Sequence, residues 1–138
     1  MLFQIAALCD AATDHAGKLN LLGAFDTIVG GEFPLVHVQC ALALRIVFTK
    51  VEEGKHKLQV NLIDEDGTSV VKPIEIPLTV ALPPNGYFAS RNIVINLQRL
   101  PFAKPGQYAV DVAVDGRTHV NIPLQVLAMR KKEGAAGG

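Results

Sequence analysis

The chain has 138 residues, with 13 Lys and Arg against 13 Asp and Glu, so its formal net charge is zero. Apolar residues make up 49% and charged residues 19%, which excludes a disordered polyelectrolyte. No run of about 18 apolar residues occurs, so no membrane-crossing helix is expected. The neutral balance provides no overall field for nucleic acid or anionic lipid. The length is that of one domain with a sizeable core. Residues 1–69 hold five bases and nine acids, a net −4, and residues 70–138 hold eight bases and four acids, a net +4.

The dominant signal along the chain is alternation with period two. The opening segment 2–9 is apolar on both faces, and so is segment 19–29. Between them lie Asp10, Asp14 and His15. Segment 35–49 alternates clearly. Val36, Val38, Cys40, Leu42, Leu44, Ile46 and Phe48 share one face, with His37, Gln39, Ala41, Ala43, Arg45, Val47 and Thr49 on the other. Residues 56–64 follow, with Leu58, Val60 and Leu62 inward. Asp64-Glu65-Asp66-Gly67 then closes a tight turn in which Gly67 provides positive φ. Residues 73–82 alternate but contain Pro73 and Pro77, which cannot donate to a ladder and so mark an edge strand. Pro123 suggests the same for the last strand. Three further alternating runs contain Ile93, Ile95 and Leu97, then Tyr108 to Val114, then Val120 to Val126. Asp115-Gly116 between the last two is the strongest hairpin signal.

Seven to eight short strands with no helical period predict an all-β fold of two packed antiparallel sheets in Greek-key order. The run from Leu97 and Leu100 through Gly106 to Tyr108, Val110 and Val112 resembles the tyrosine corner of such sandwiches. There a tyrosine early in a late strand hydrogen-bonds back to the preceding loop, and Tyr108 is the expected anchor. The architecture is immunoglobulin-like, without the core cysteine and tryptophan of antibody domains. A single domain is expected over 1–128, with 129–138 a Gly-rich disordered tail.

Ala7-Leu8-Cys9-Asp10-Ala11-Ala12 followed by Gly17-Lys18-Leu19 through Phe25-Asp26-Thr27-Ile28 resembles the opening of a family of small bacterial proteins with no assigned function. The strand from 35 and the Asp-Glu-Asp-Gly turn fit the same pattern. The resemblance spans most of 1–127. It implies a bacterial, single-domain protein and carries no activity, cofactor or catalytic residue.

No motif demands a cofactor. Ser69 and Ser90 lie outside any nucleophile elbow, so an enzyme is not expected. Cys9 and Cys40 sit in apolar runs and read as buried free thiols. A disulfide between their strands is expected only in an exported protein, and the short apolar start with no preceding base points instead to the cytoplasm. His37 and His119 lie on polar strand faces, where a cross-strand metal site would make the enzyme reading. Asp10 and Asp14, with Asp64 and Asp66, are candidate calcium ligands if their loops converge. Tyr87-Phe88 beside Pro84-Asn85-Gly86 is a candidate binding rim.

The sharpest expectation concerns strands with two apolar faces. They need a third layer, either the chain's own segments or another subunit. Leu19, Leu21, Leu22, Ala41, Ala43 and Val47 are the candidate interface. The expected role is a non-enzymatic binding or assembly module that forms a homo-oligomer through a sheet face, the alternative being a calcium or ligand site on the acidic loops. Gly67, Gly106, Gly116 and Tyr108 are expected to serve structure alone.

Overall fold

The computed structural model describes residues 1–129. The expected tail lies, apart from Met129, outside the described residues. Nine strands follow in order: β1 (Leu2–His15), β2 (Lys18–Phe25), β3 (Thr27–Gly30), β4 (Leu35–Thr49), β5 (Gly54–Asp64), β6 (Ile74–Val80), β7 (Phe88–Phe102), β8 (Gly106–Val114) and β9 (Arg117–Ala128). A 3-10 turn, Lys50–Glu52, follows β4. No helix is long and apolar enough to cross a membrane.

The strands form two sheets, ordered β2-β1-β4-β7 and β3-β9-β8-β5-β6. The expected all-antiparallel pairing holds for every pair but one: β3 runs parallel to β9. Both halves of the chain contribute strands to each sheet, so they form no separate lobes. Leu42, Leu44, Ile46 and Phe48 from β4 meet Leu58, Val60, Val112 and Val126 from the other sheet, all buried. Burying a side chain of this kind stabilises the fold by about 1.5–3 kcal/mol.

Segment 19–29 looked apolar on both faces because it is two strands serving two sheets. The chain leaves the first sheet at Phe25 and joins the second at Thr27. Asp26 marks the crossing. Its carbonyl accepts the Gln125 N–H (2.9 Å), and its carboxylate accepts the Thr27 hydroxyl (2.8 Å). Ile28, two residues past the crossing, is buried in the core from the second sheet.

The single alternating face of 35–49 does not continue to its start. Val36 and Val38 are exposed, while Leu35 packs on the core and His37 lies on Phe25, ring centroids 5.8 Å apart. The partner strand changes face at the same level, since Leu97 and Leu100 are both buried although three residues apart. Arg99, at φ +53, turns the pleat between them. Because both strands reverse together, their register is unbroken from Leu35↔Phe102 to Thr49↔Phe88.

The turn chemistry follows the sequence reading. Asp115 (φ +53) and Gly116 (φ +81) occupy the left-handed region between β8 and β9. Gly67 (φ +80) closes the turn after β5. Pro77 lies on β6, an edge strand as expected. Pro123 differs, because β9 is an inner strand; β3, however, reaches only Gln125 and leaves Pro123 beyond its end. The Tyr108 hydroxyl donates to the Lys104 carbonyl (2.7 Å), the expected corner bond. Its ring stands edge-on to Phe102 at 5.0 Å. Gly106 opens β8 just before it.

Candidate functional site

The third layer is present, and the chain's own β1–β2 hairpin builds it. β1 pairs with β4 only as far as Cys9↔Ala41, then continues against β2 alone to His15↔Lys18. Beyond Cys9 the hairpin folds over the outer face of the four-stranded sheet. The bend falls at the Asp10–Gly23 pair. Gly23 has φ +70, and a Cβ there would meet the Asp10 carboxylate at 2.4 Å. Across the bend the hairpin changes face. Phe25 belongs to the main core, while Leu21, four residues earlier on the same alternation, packs with Leu19 and Ala12 on Cys9, Ala41 and Ala43.

The hairpin tip, Ala16 (φ +51) and Gly17 (φ +78), is held by polar bonds. The Gly17 carbonyl accepts from Arg45 Nη1 (3.2 Å) and Asn92 Nδ2 (3.0 Å). Arg45 also donates from Nε to Gln4 (2.8 Å) and from Nη1 to the Asn92 side-chain carbonyl (2.6 Å).

The expected interface residues therefore divide. Ala41 and Ala43 are buried by the chain's own hairpin, with Leu19 and Leu21 over them, so in this conformation they are closed to a partner. Of the two expected sources of a third layer, the chain's own hairpin is the one over Ala41 and Ala43. Leu22 lies on the hairpin and is 71% exposed. Val47 is half-buried beyond the hairpin tip, paired with Leu2, which is 61% exposed. Thr49 then pairs with Phe88, itself 56% exposed. Tyr87 (90%) and Val51 (92%) stand at the same end. Strand pairing thus brings Phe88 of the expected rim to the same end of the sheet as Val47 of the expected interface.

Of the acidic candidates, Asp14 and Asp64 accept hydrogen bonds. Asp10 lies against Gly23, and Asp14 accepts from Asn92 (3.4 Å). Asp64 accepts the N–H groups of Asp66 and Thr68 (both 2.9 Å), fixing its own turn. Asp66 lies in that turn. Among the described residues no group of three or more His, Cys, Asp or Glu is placed to hold a metal. His37 and His119 are apart, the latter stacked on Phe3 at 5.6 Å. Cys9 and Cys40 are free, on opposite faces of the sheet. Burial pushes the Cys40 thiol up to about 11 and raises Cys9 as well. A cleft of about 280 Å³ opens where β3 falls short of Pro123, lined by Asp26, Gln107, Tyr108 and Gln125 among others.

A polar group that sequence reasoning missed ties the other end together. His56 Nδ1 bonds the Asp115 carboxylate (2.7 Å) and Nε2 bonds the Glu52 carbonyl (2.5 Å), with the ring stacked on Phe48. The Glu52 carbonyl and then Asp115 raise the imidazole above its ordinary value. His56 and the Lys57 N–H hold the Asp115 carboxyl below its own. The raised imidazole stabilises fully below the unfolded histidine value and loses that contribution as pH rises through the folded one. The lowered carboxyl stabilises above the unfolded aspartate value and loses it as pH falls. The pair is therefore worth most between about pH 4 and 6.5. Asp115→Asn keeps a residue suited to positive φ and removes the charge. The variant is expected to be less stable by about 1 kcal/mol in that window, and the gap to narrow above and below it. Thermal melts across pH check this, and a gap independent of pH contradicts it.

A two-sheet all-β protein is what these observations define. The chain belongs to a family of unknown function (DUF6941), whose family model matches residues 4–127. No curated protein matches it. Among solved structures it is similar to the Pseudomonas fluorescens alkylpurine DNA glycosylase AlkC bound to DNA containing an abasic-site analogue. That likeness has a TM-score of 0.52 and 17% identity, over 75% of this chain and 28% of the glycosylase chain. The chain thus spans less than a third of that protein's length, and the likeness is one of fold.

Proposed function

We propose that this protein is a non-enzymatic assembly module of the bacterial cytoplasm, which pairs with a second copy through the outer face of its four-stranded sheet. The observation that carries the reading is the apolar strip at one end of that sheet, where Leu2, Phe88, Tyr87 and Val51 are exposed around the half-buried Val47. Two of the chain's eight aromatics lie in it, on a molecule with no Trp. Apolar residues this exposed and this close together mark an interaction surface. Zero net charge removes the long-range repulsion that keeps copies apart. The Tyr108 corner and the crossing of β3 from one sheet to the edge of the other support an immunoglobulin-like architecture, a common scaffold for such contacts.

Light scattering over a range of concentrations tests the proposal. The wild-type mass is expected to rise to that of a dimer. A Tyr87→Ser, Phe88→Ser variant is expected to stay monomeric with its fold intact, since both side chains are largely in water. A wild-type protein that remains monomeric up to its solubility limit overturns the reading.

A further inference from the structure

Residues 10–22 form an arm whose attachment is unusual. They make ladder bonds only with one another, and none with β4 or β7. The arm is held to the body by one small apolar cluster and by side-chain bonds at its tip. Its root is a single residue pair, Asp10 and Gly23, where the glycine holds a backbone that L-residues rarely adopt. The seat beneath is built for this hairpin. Cys9, Ala41 and Ala43 are small enough to admit Leu19 and Leu21, and Arg45 and Asn92 both address the bare carbonyl of Gly17.

We infer that the arm is exchangeable, and that in the dimer each copy lays residues 10–22 on the outer face of the other. The inference rests on the self-association proposed above and names how it is made. A second copy is the fitting occupant because it carries, by identity, the hairpin that the seat already matches. Exchange replaces each arm contact with its equal, so only the hinge and the association entropy oppose it. The seat also adjoins the exposed strip. Arg45↔Asn92, which grips the tip, is followed on the same face by Val47↔Ser90. An exchanged arm and a buried strip would thus form one continuous interface.

The test is a pair of cysteines at positions whose side chains already touch, Asp14 and Asn92, 3.4 Å apart. The Asp14→Cys, Asn92→Cys protein, made like its single-cysteine control with Cys9→Ala and Cys40→Ala, is oxidised at low concentration and again where scattering shows dimers. Closed arms give a monomer bridged within itself; exchanged arms give a covalent dimer that reduction dissolves. The expected result is a covalent dimer as the main product at high concentration and the internal bridge at low concentration. Asp14→Cys alone is expected to give neither. A dimer by scattering whose cysteines bridge only internally overturns the exchange and leaves the assembly reading standing. A covalent dimer formed equally by Asp14→Cys alone reports chance collision and also overturns the exchange. A protein monomeric at every concentration removes both.

Discussion

Phe102→Ala is expected to cost about 3–5 kcal/mol of stability, the loss typical of a large aromatic removed from a closed core. Phe102 is fully buried at the end of β7, where the chain passes from one sheet to the other. Its ring faces the edge of Tyr108, and Tyr108 in turn ties the crossing loop through its bond to Lys104. Truncation therefore opens a cavity and frees the tyrosine ring at once. Tyr108→Phe, which loses only the hydroxyl bond, is expected to cost about 1–2 kcal/mol. Denaturant melts of both variants check the ordering. A Phe102→Ala loss below that of Tyr108→Phe would mean that the corner is held by its polar bond rather than by packing.

Ala43→Asp carries the second large effect, and it separates the hairpin from the main core. Ala43 is buried beneath Leu19 and Leu21, so a carboxylate there is desolvated, and Arg45 on the same face is already bonded to Gln4, Gly17 and Asn92. Burying a polar group unpaired costs about 2–7 kcal/mol, and an ionised one more. The chain has a cheaper response, because lifting the hairpin returns the carboxylate to water. The net loss is then capped by what docking of the hairpin is worth, about 2–3 kcal/mol for a few half-buried apolar contacts and exposed hydrogen bonds. The two native thiols report the difference. Cys9 lies under the hairpin and Cys40 in the main core. In Ala43→Asp, alkylation of Cys9 is expected to accelerate while Cys40 stays protected. Equal acceleration of both would mean that the hairpin and the sandwich unfold as one unit.

Much of the architecture was legible because strand period, turn residues and proline placement are local properties. The alternation of 40–48, the Asp115-Gly116 turn and the edge position of β6 needed no partner to be read. The tyrosine corner was legible because its spacing is short. The face reversal at Arg99 was not, since a single left-handed residue leaves no compositional mark and the partner strand compensates for it. The His56–Asp115 bond joins residues 59 apart in sequence and depends on how β5 meets the β8–β9 turn. The site was half legible. Leu19, Leu21, Ala41 and Ala43 were recognised as apolar where a strand should be wet, but composition could not say whose surface covered them.

By itself, then, the sequence determined that this is a neutral two-sheet β protein with more apolar strand surface than one core consumes. The reason is that side-chain period and turn chemistry act within a few residues. Only the tertiary structure decided where that surplus goes. A single pair, Asp10 and Gly23, bends a hairpin back over the sheet and buries one part of the surplus. Strand register gathers the rest, Leu2, Val47 and Phe88, at one end of the sheet, beside the exposed Tyr87 and Val51. Both outcomes depend on which strands become neighbours, and that is set by packing across the whole chain.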